Sequence, residues 1–214
     1  MTEIEELLQG FRRFRSKSFQ ENRRLFNQLA QHGQSPKTLI IGCSDSRVDP
    51  GVITDASPGD LFVVRNVANL VPPCETDGAH HGTSAALEYA VCQLQVKNIV
   101  VLGHAHCGGI QALMEGYDQR DEDFIGPWVK IAASARDKVL ERWPGAGSEF
   151  QQRACERAGV LVSLANLQTF PFIKEAMEAE RLRLYGWYFD IDNGELLQYD
   201  PEKHHFHDLY FDWE

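Results

Sequence analysis

The chain has 214 residues, a formal net charge of −10 and no apolar run long enough to cross a membrane. This length predicts one domain with its own core, and the acidic balance with dispersed Lys and Arg argues against nucleic-acid binding. Five cysteines at scattered spacings and no signal-peptide pattern predict a soluble, cytoplasmic protein without a disulfide framework. Association with an organelle or a microcompartment stays open.

Apolar residues with helical periodicity open the chain. Two helices are predicted, over about residues 2–15 and 18–32. One apolar face of the first helix carries Leu7, Leu8, Phe11 and Phe14. We therefore divide a single domain of residues 1–214 into a helical arm, residues 1–33, and a core, residues 34–214.

Three short apolar runs rich in β-branched residues come next, at residues 38–42, 61–64 and 98–103. Such runs are typical of parallel strands buried on both faces. A helix predicted over about residues 82–94 lies between the second run and the third. The two strands and this helix would form a βαβ crossover.

The rest of the chain predicts helices and a final hairpin. The helices cover about residues 123–142, 149–169 and 171–179. The hairpin strands, residues 183–190 and 195–199, flank a turn at residues 192–194, in which Asn193-Gly194 is a typical hairpin signal. The whole pattern predicts an α/β fold: a mainly parallel central sheet with flanking helices, an N-terminal helical arm and a C-terminal antiparallel hairpin.

Two motifs, residues 42–47 and 103–109, directly follow the first and third predicted strands. Because parallel strands end at one edge of a sheet, where open α/β sheets bind ligands, the motifs should meet. Cys43, His104 and Cys107 offer two thiolates and an imidazole, which zinc prefers, and leave a fourth position for water or substrate. The sequence therefore predicts a catalytic zinc site, with Asp45 and Arg47 pointing into the same pocket.

Other metal and cofactor sites fit the sequence less well. Structural zinc usually shows paired Cys-x-x-Cys spacing, and a zinc deaminase needs His-x-Glu with Pro-Cys-x-x-Cys. A nicotinamide enzyme needs Gly-x-Gly-x-x-Gly after a strand. The sequence contains none of these patterns. A Cys43 nucleophile with His104 as its base is physically feasible, but it leaves Cys107 and Arg47 without a role.

The chain resembles the plant-type branch of the β-class carbonic anhydrases over most of its length. The similar segments are residues 43–47, 64–73, 87–91, 103–109 and 123–131. The resemblance implies a zinc lyase that hydrates carbon dioxide reversibly to bicarbonate and a proton, by attack of zinc-bound hydroxide. It also implies one Zn²⁺ per subunit on Cys43, His104 and Cys107, with Asp45 and Arg47 as the catalytic dyad.

The resemblance further implies a substrate pocket that two subunits share. Its residues would be Gln34, Phe62, Val67, Tyr89 and the backbone amide of Gly108. From the sequence alone, Phe62 and Val67 could equally be core residues. The implied assembly is a homodimer or a higher homo-oligomer, with the helical arm wrapped on the partner subunit.

The histidines outside the zinc site have weaker interpretations. Because imidazole titrates near neutral pH, His81 or His80 could carry the product proton away from the site. His204, His205 and His207 are interpreted as part of an exposed polar tail rather than as a metal site.

One departure from the family separates this chain from its bicarbonate-inhibited branch. That branch pairs an Arg with a Trp and a Tyr in a noncatalytic bicarbonate pocket. Here Arg65 is present, but Ile40 and Phe189 stand at the partner positions. We therefore expect Asp45 to stay off the zinc and activity to persist near neutral pH. Two alternatives remain open: a zinc hydrolase of a related small molecule such as carbon disulfide, and a non-catalytic zinc-binding regulatory protein.

Overall fold

The computed structural model describes residues 1–120 and 124–209. Its centre is a six-stranded sheet in the order β2-β1-β3-β4-β5-β6. The strands are β1 (Thr38–Cys43), β2 (Leu61–Asn66), β3 (Asn98–His104), β4 (Arg183–Asp190), β5 (Glu195–Asp200) and β6 (His205–Asp208). The first four strands run parallel, and β5 and β6 continue the sheet antiparallel. The predicted α/β fold is confirmed.

The arm consists of α1 (Glu3–Ser16), α2 (Ser18–Glu21) and α3 (Arg23–His32). Thr2 and Glu5 form a capping box at the start of α1, which satisfies backbone amides of the first turn. The second predicted helix is interrupted at Asn22. The predicted apolar face is exposed on a single chain, from 40% at Phe14 to 70% at Leu7. The arm therefore presents an uncovered hydrophobic surface.

Buried apolar residues of β1 and β3, most of them β-branched, fill both faces of the sheet. One face carries Leu39, Ile41, Ile99 and Val101, and the other carries Ile40, Val100 and Leu102. The helix α9 (Ser148–Leu167) packs on the first of these faces. Gly103 permits its close approach, because a Cβ there would lie 2.5 Å from Val160 Cγ2.

The remaining helices are α4 (Pro50–Ile53), α5 (Gly82–Glu88), α6 (Gly108–Met114), α7 (Ile125–Val129), α8 (Ala133–Arg142) and α10 (Pro171–Glu178). The predicted crossover helix is α5 followed by a π turn, Tyr89–Gln93. None of the helices in the described part of the chain is both long and apolar enough to span a bilayer.

Two further sequence predictions need correction. The long helix predicted at 123–142 is α7, a 3₁₀ turn (Lys130–Ala132) and α8, and its first residue lies outside the described residues. The predicted polar tail is in part the strand β6, which pairs with β5. His204 and His205 are exposed, but Phe206 packs its ring 5.4 Å from that of Tyr199 and so anchors the strand. Because Phe206 stands between His205 and His207, the polar composition of the segment gives no sign of this apolar contact.

Candidate metal centre

The predicted ligands converge at the carboxyl ends of two neighbouring strands. Cys43 ends β1, His104 ends β3, and Cys107 directly precedes α6. All three residues are buried, and their ligand atoms lie within 4.8 Å of one another. The two sulfur atoms are 4.0 Å apart. The fold thus brings together residues 64 positions apart in the chain.

The imidazole of His104 has one nitrogen committed and one available. Its Nδ1 lies 2.8 Å from the carbonyl oxygen of Ala105, so a proton on Nδ1 is donated to the backbone. Its Nε2 is buried and has no hydrogen-bond partner among the described residues. Because an unpartnered buried polar atom costs free energy, this nitrogen is expected to bind something. A histidine that binds a metal through one ring nitrogen typically donates the proton on its other ring nitrogen to a carbonyl or carboxylate, as Nδ1 can here.

A hydrogen bond between Cys43 and Cys107 shifts the pKa values of the two thiols in opposite directions. Together with His104 and the Asp45 amide, the hydrogen bond from Cys107 lowers the pKa of Cys43 to about 4, against the effect of burial. The same hydrogen bond and burial raise the pKa of Cys107. Cys43 is therefore a thiolate at neutral pH, which is the form that binds metals.

The donor set fits zinc. Two sulfurs on one tetrahedral zinc ion, each about 2.3 Å from the metal, lie roughly 3.8 Å apart. The observed sulfur separation is 4.0 Å. Sulfur and imidazole donors suit zinc, whereas Mg²⁺ and Ca²⁺ prefer oxygen donors. With three protein ligands the centre would keep a position open, as catalytic zinc sites do.

A buried carboxylate behind Cys107 supports the loop that carries this predicted ligand. Glu156, only 2% exposed on α9, accepts hydrogen bonds from the Cys107 amide at 2.9 Å and from the Tyr188 hydroxyl at 2.7 Å. Burial and Glu156 raise the pKa of Tyr188, which therefore keeps its proton and donates it. Glu156 could not be predicted from the sequence, since it lies in a distant helix and belongs to no metal-ligand pattern.

The predicted dyad is formed next to the ligands. The Nε of Arg47 donates to Asp45 Oδ1 at 2.9 Å, and its Nη2 donates to Asp45 Oδ2 at 2.7 Å. The side chain of Asp45 is 16% exposed, and that of Arg47 is 49% exposed. These hydrogen bonds hold the pKa of Asp45 well below its usual range. Asp45 is therefore ionised and paired with Arg47.

Arg65 is engaged by the loop after β1. It donates to the carbonyl oxygens of Cys43 and Asp45, at 2.9 and 2.7 Å, and to the carboxylate of Asp49 at 3.0 Å. Ile40 and Phe189 pack in an apolar cluster. These two side chains offer no hydrogen bonds to bicarbonate, and each nitrogen of the guanidinium already has a partner.

The predicted pocket residues are only partly enclosed within one chain. The rings of Phe62 and Tyr89 lie 5.9 Å apart, and Val67 and Tyr89 are 39% and 47% exposed. Gln34 is exposed, and Gly108 is exposed directly after Cys107. Val67 also packs beside the ligand loop, since a Cβ on Gly109 would lie 2.6 Å from its Cγ1. A single chain therefore leaves these residues open on one side.

The two candidate proton carriers differ in their surroundings. His80 is exposed, whereas Nε2 of His81 lies 2.7 Å from Asp77 Oδ1. The hydrogen bond from His81 contributes most to lowering the pKa of Asp77. Both imidazoles lie in the segment just before α5.

Comparisons with known proteins agree with the geometry. The carbonic anhydrase family profile matches residues 38–196. A carbonic anhydrase of Synechocystis sp. is 38% identical over 204 residues, which cover 95% of this chain and 73% of that relative. The structure of the β-carbonic anhydrase CcaA matches with a TM-score of 0.90 and 38% identity, covering 96% of this chain and 91% of CcaA. One of two tetrameric β-carbonic anhydrases from Sordaria macrospora matches with a TM-score of 0.80 and 32% identity, covering 91% and 95% of the two chains.

Proposed function

Because the chain belongs to the β-carbonic anhydrase family, we propose that it hydrates carbon dioxide reversibly at a zinc ion bound by Cys43, His104 and Cys107. One observation supports the zinc assignment most strongly. The buried Nε2 of His104 has no hydrogen-bond partner among the described residues, and it lies beside the sulfurs of Cys43 and Cys107, which are 4.0 Å apart. Assignment to the plant-type branch stays a prediction.

The bound metal would supply a water molecule acidified enough to give hydroxide near neutral pH. Asp45 then has one task, to accept a hydrogen bond from the attacking oxygen and so orient it toward carbon dioxide. Arg47 fixes Asp45 through the two side-chain contacts of 2.9 and 2.7 Å. The dyad thus keeps a charged acceptor in place before the substrate arrives.

The ionisation of Asp45 has a clear sign. Because hydrogen bonds from Arg47 lower its pKa, Asp45 stays ionised throughout the neutral range. Protonation of Asp45 therefore does not cause the loss of activity as the pH falls through neutrality. That loss should follow the acidity of the nucleophilic water instead.

Carbon dioxide is small and apolar, and Phe62, Val67 and Tyr89 would give its pocket apolar walls. Gln34 and the amide of Gly108 would donate hydrogen bonds to the oxygen that gains charge. His81 or His80 would pass the released proton to solvent.

The pocket would be completed by a second subunit. Support comes from the edge strand β2 and its surroundings, where Val63, Val67 and Tyr89 are 41%, 39% and 47% exposed. The apolar face of the arm is a second uncovered surface. The similar Sordaria macrospora enzymes are described as tetrameric. A homodimer or a higher homo-oligomer would cover both surfaces.

We expect the full chain to sediment at no less than twice the mass of one chain. Phe11→Glu, which places a charge on the apolar face of the arm, should shift the population toward smaller species and lower turnover per chain by about fivefold. Val52→Glu is the control, since Val52 is 80% exposed and lies outside both surfaces. A fully active monomer at all concentrations would contradict the shared pocket.

We expect the zinc-loaded protein to hydrate carbon dioxide near neutral pH, with kcat/KM at about pH 7 within roughly tenfold of its alkaline value. There are two reasons. Asp45 is paired with Arg47, and Ile40 and Phe189 stand where a bicarbonate pocket would need polar side chains beside Arg65. Stopped-flow measurement with a pH indicator, from neutral to alkaline pH, provides the test.

Turnover only in alkali would overturn the expectation for neutral pH and leave the enzyme assignment standing. No hydration at any pH, with zinc bound, would refute the proposed function. Carbon disulfide hydrolysis in the same preparation would then favour a zinc hydrolase, and inactivity toward both substrates would favour a regulatory zinc protein.

A further inference from the structure

His106, between the ligands His104 and Cys107, has an unusual backbone conformation. Its φ is 58°, in the left-handed region that residues other than glycine rarely adopt. In this conformation its carbonyl oxygen accepts a hydrogen bond from Nη2 of Arg47 at 3.0 Å. The same Nη2 donates to Asp45 Oδ2 at 2.7 Å. The backbone of His106 therefore adds a contact to the three hydrogen bonds that join Arg47 directly to Asp45.

The ring of His106 is held from outside the motif. Its Nε2 lies 2.9 Å from Asp192 Oδ2 and 2.9 Å from Nη2 of Arg153. Arg153 also pairs directly with Asp192. The side chain of Arg153 is 20% exposed, and those of His106 and Asp192 are 42% and 52% exposed. Three side chains from the ligand loop, α9 and the β4–β5 turn thus meet at one point.

The turn that carries Asp192 is itself fixed. Asp190 accepts hydrogen bonds from the Asp192 amide at 3.0 Å and from Nδ2 of Asn193 at 3.2 Å. Asp190 also lies 3.7 Å from Nη1 of Arg153. Arg153, followed by His106, lowers the pKa of Asp192, so the turn presents a carboxylate to the ring. The cluster around His106 holds one guanidinium and two carboxylates.

The neighbouring loop residues are anchored independently of this cluster. The amide of Ala105 donates to the carbonyl oxygen of Phe189 at 3.0 Å, and that of Cys107 donates to Glu156 at 2.9 Å. These contacts support the metal ligands. The contacts to the His106 ring act on a different residue. Among the described residues, the His106 carbonyl is the only acceptor besides Asp45 that is shown to receive a hydrogen bond from the Arg47 side chain.

We propose that Asp192 and Arg153 are positioning residues for the dyad: they clamp the His106 ring, and the clamped backbone holds Arg47 against Asp45. The proposal rests on the proposed function for its catalytic consequence. The sequence predicts only a hairpin turn at residue 192, and the contact across 86 residues gives Asp192 this second role.

The test compares two hairpin carboxylates. Asp192→Ala is expected to lower kcat for carbon dioxide hydration by about fivefold with little change in KM, because orientation of the dyad acts on the reacting state. Asp192→Asn keeps a hydrogen-bond acceptor and should lose less. Asp200→Ala is the control: Asp200 organises the next turn, through the amides of Glu202 and Lys203 at 2.8 and 3.1 Å. It should change kcat by less than about twofold.

A double variant separates positioning from general destabilisation. If Asp192 acts through the dyad, adding Asp192→Ala to Asp45→Asn should cost no further activity. Equal losses in the two backgrounds, or an Asp192→Ala enzyme identical to the unmodified one, would overturn the proposal. A crystal structure of Asp192→Ala should show Arg47 Nη2 beyond hydrogen-bond distance of the His106 carbonyl. An unchanged contact would also overturn it, and this readout stands even if the protein does not hydrate carbon dioxide.

Discussion

Cys43→Ser is expected to remove zinc from the protein and to lower carbon dioxide hydration by at least about 1000-fold, because an acidified water is lost with the metal. Serine is nearly the size of cysteine, but its hydroxyl stays protonated at neutral pH and does not replace a thiolate ligand. Cys43 is only 5% exposed at the end of β1, so water cannot easily complete the donor set. Zinc per chain after dialysis, measured by elemental analysis beside stopped-flow rates, provides the test.

Cys92→Ser is the matched control, because Cys92 is exposed and lies in the π turn away from the ligands. It should keep one zinc per chain and full turnover. A Cys43→Ser protein with one zinc per chain and unchanged rates would show that the metal, if bound, lies elsewhere. Circular dichroism of both variants distinguishes loss of the ligand from loss of the fold.

Asp45→Asn is expected to lower kcat by about 100-fold while leaving zinc content unchanged. The amide turns donors toward Arg47, which itself has only donors, so the pair of contacts at 2.9 and 2.7 Å cannot persist. The acceptor for the attacking oxygen is then neutral and badly oriented. Stopped-flow hydration and zinc analysis on the same preparation measure both effects.

Asp49→Asn provides the comparison on the same loop. Asp49 accepts from the amides of Gly51 and Val52, and asparagine can cap α4 in the same way. Its activity should stay within about threefold of the unmodified enzyme. Equal losses in the two variants would mean that any neutralised carboxylate on this loop impairs the enzyme, and Asp45 would lose its assigned role.

Asp45→Asn should also change the acid stability of the protein. Since Arg47 lowers the pKa of Asp45 in the folded state, their pairing stabilises the fold above the unfolded-state pKa of Asp45. This contribution is lost as the pH falls through the folded-state pKa. The asparagine variant lacks it, so stability differences between the two proteins should shrink in strong acid.

Local sequence was enough to predict the parallel strands and the convergence of Cys43, His104 and Cys107. Runs such as residues 99–102 are apolar and rich in β-branched residues, which is typical of a strand buried on both faces. Because Cys43 and His104 end two such neighbouring strands and Cys107 follows closely, the topology places the three together. The same reasoning could not find Glu156 or Asp192, whose roles come from contacts across 49 and 86 residues.

The errors have physical causes of the same kind. The pattern at residues 123–142 predicts one helix because it contains no sign of a long-range contact. In the structure the indole of Trp128 donates to the Val67 carbonyl at 2.7 Å, which fixes α7 separately from α8. The polar composition of β6 conceals a strand that is anchored by one ring, Phe206. The pocket residues Gln34, Phe62, Val67, Tyr89 and Gly108 stay predictions, because their proposed setting includes a second subunit.

The exposed face of the arm has a consequence for biosynthesis. Leu7, Leu8 and Phe11 leave the ribosome before the core that follows them, and they remain 70%, 52% and 56% exposed after the chain has folded. The arm is thus made before the core, and its apolar face is still exposed once the core has formed. Until another surface covers it, this apolar face is an aggregation-prone surface on each newly made chain.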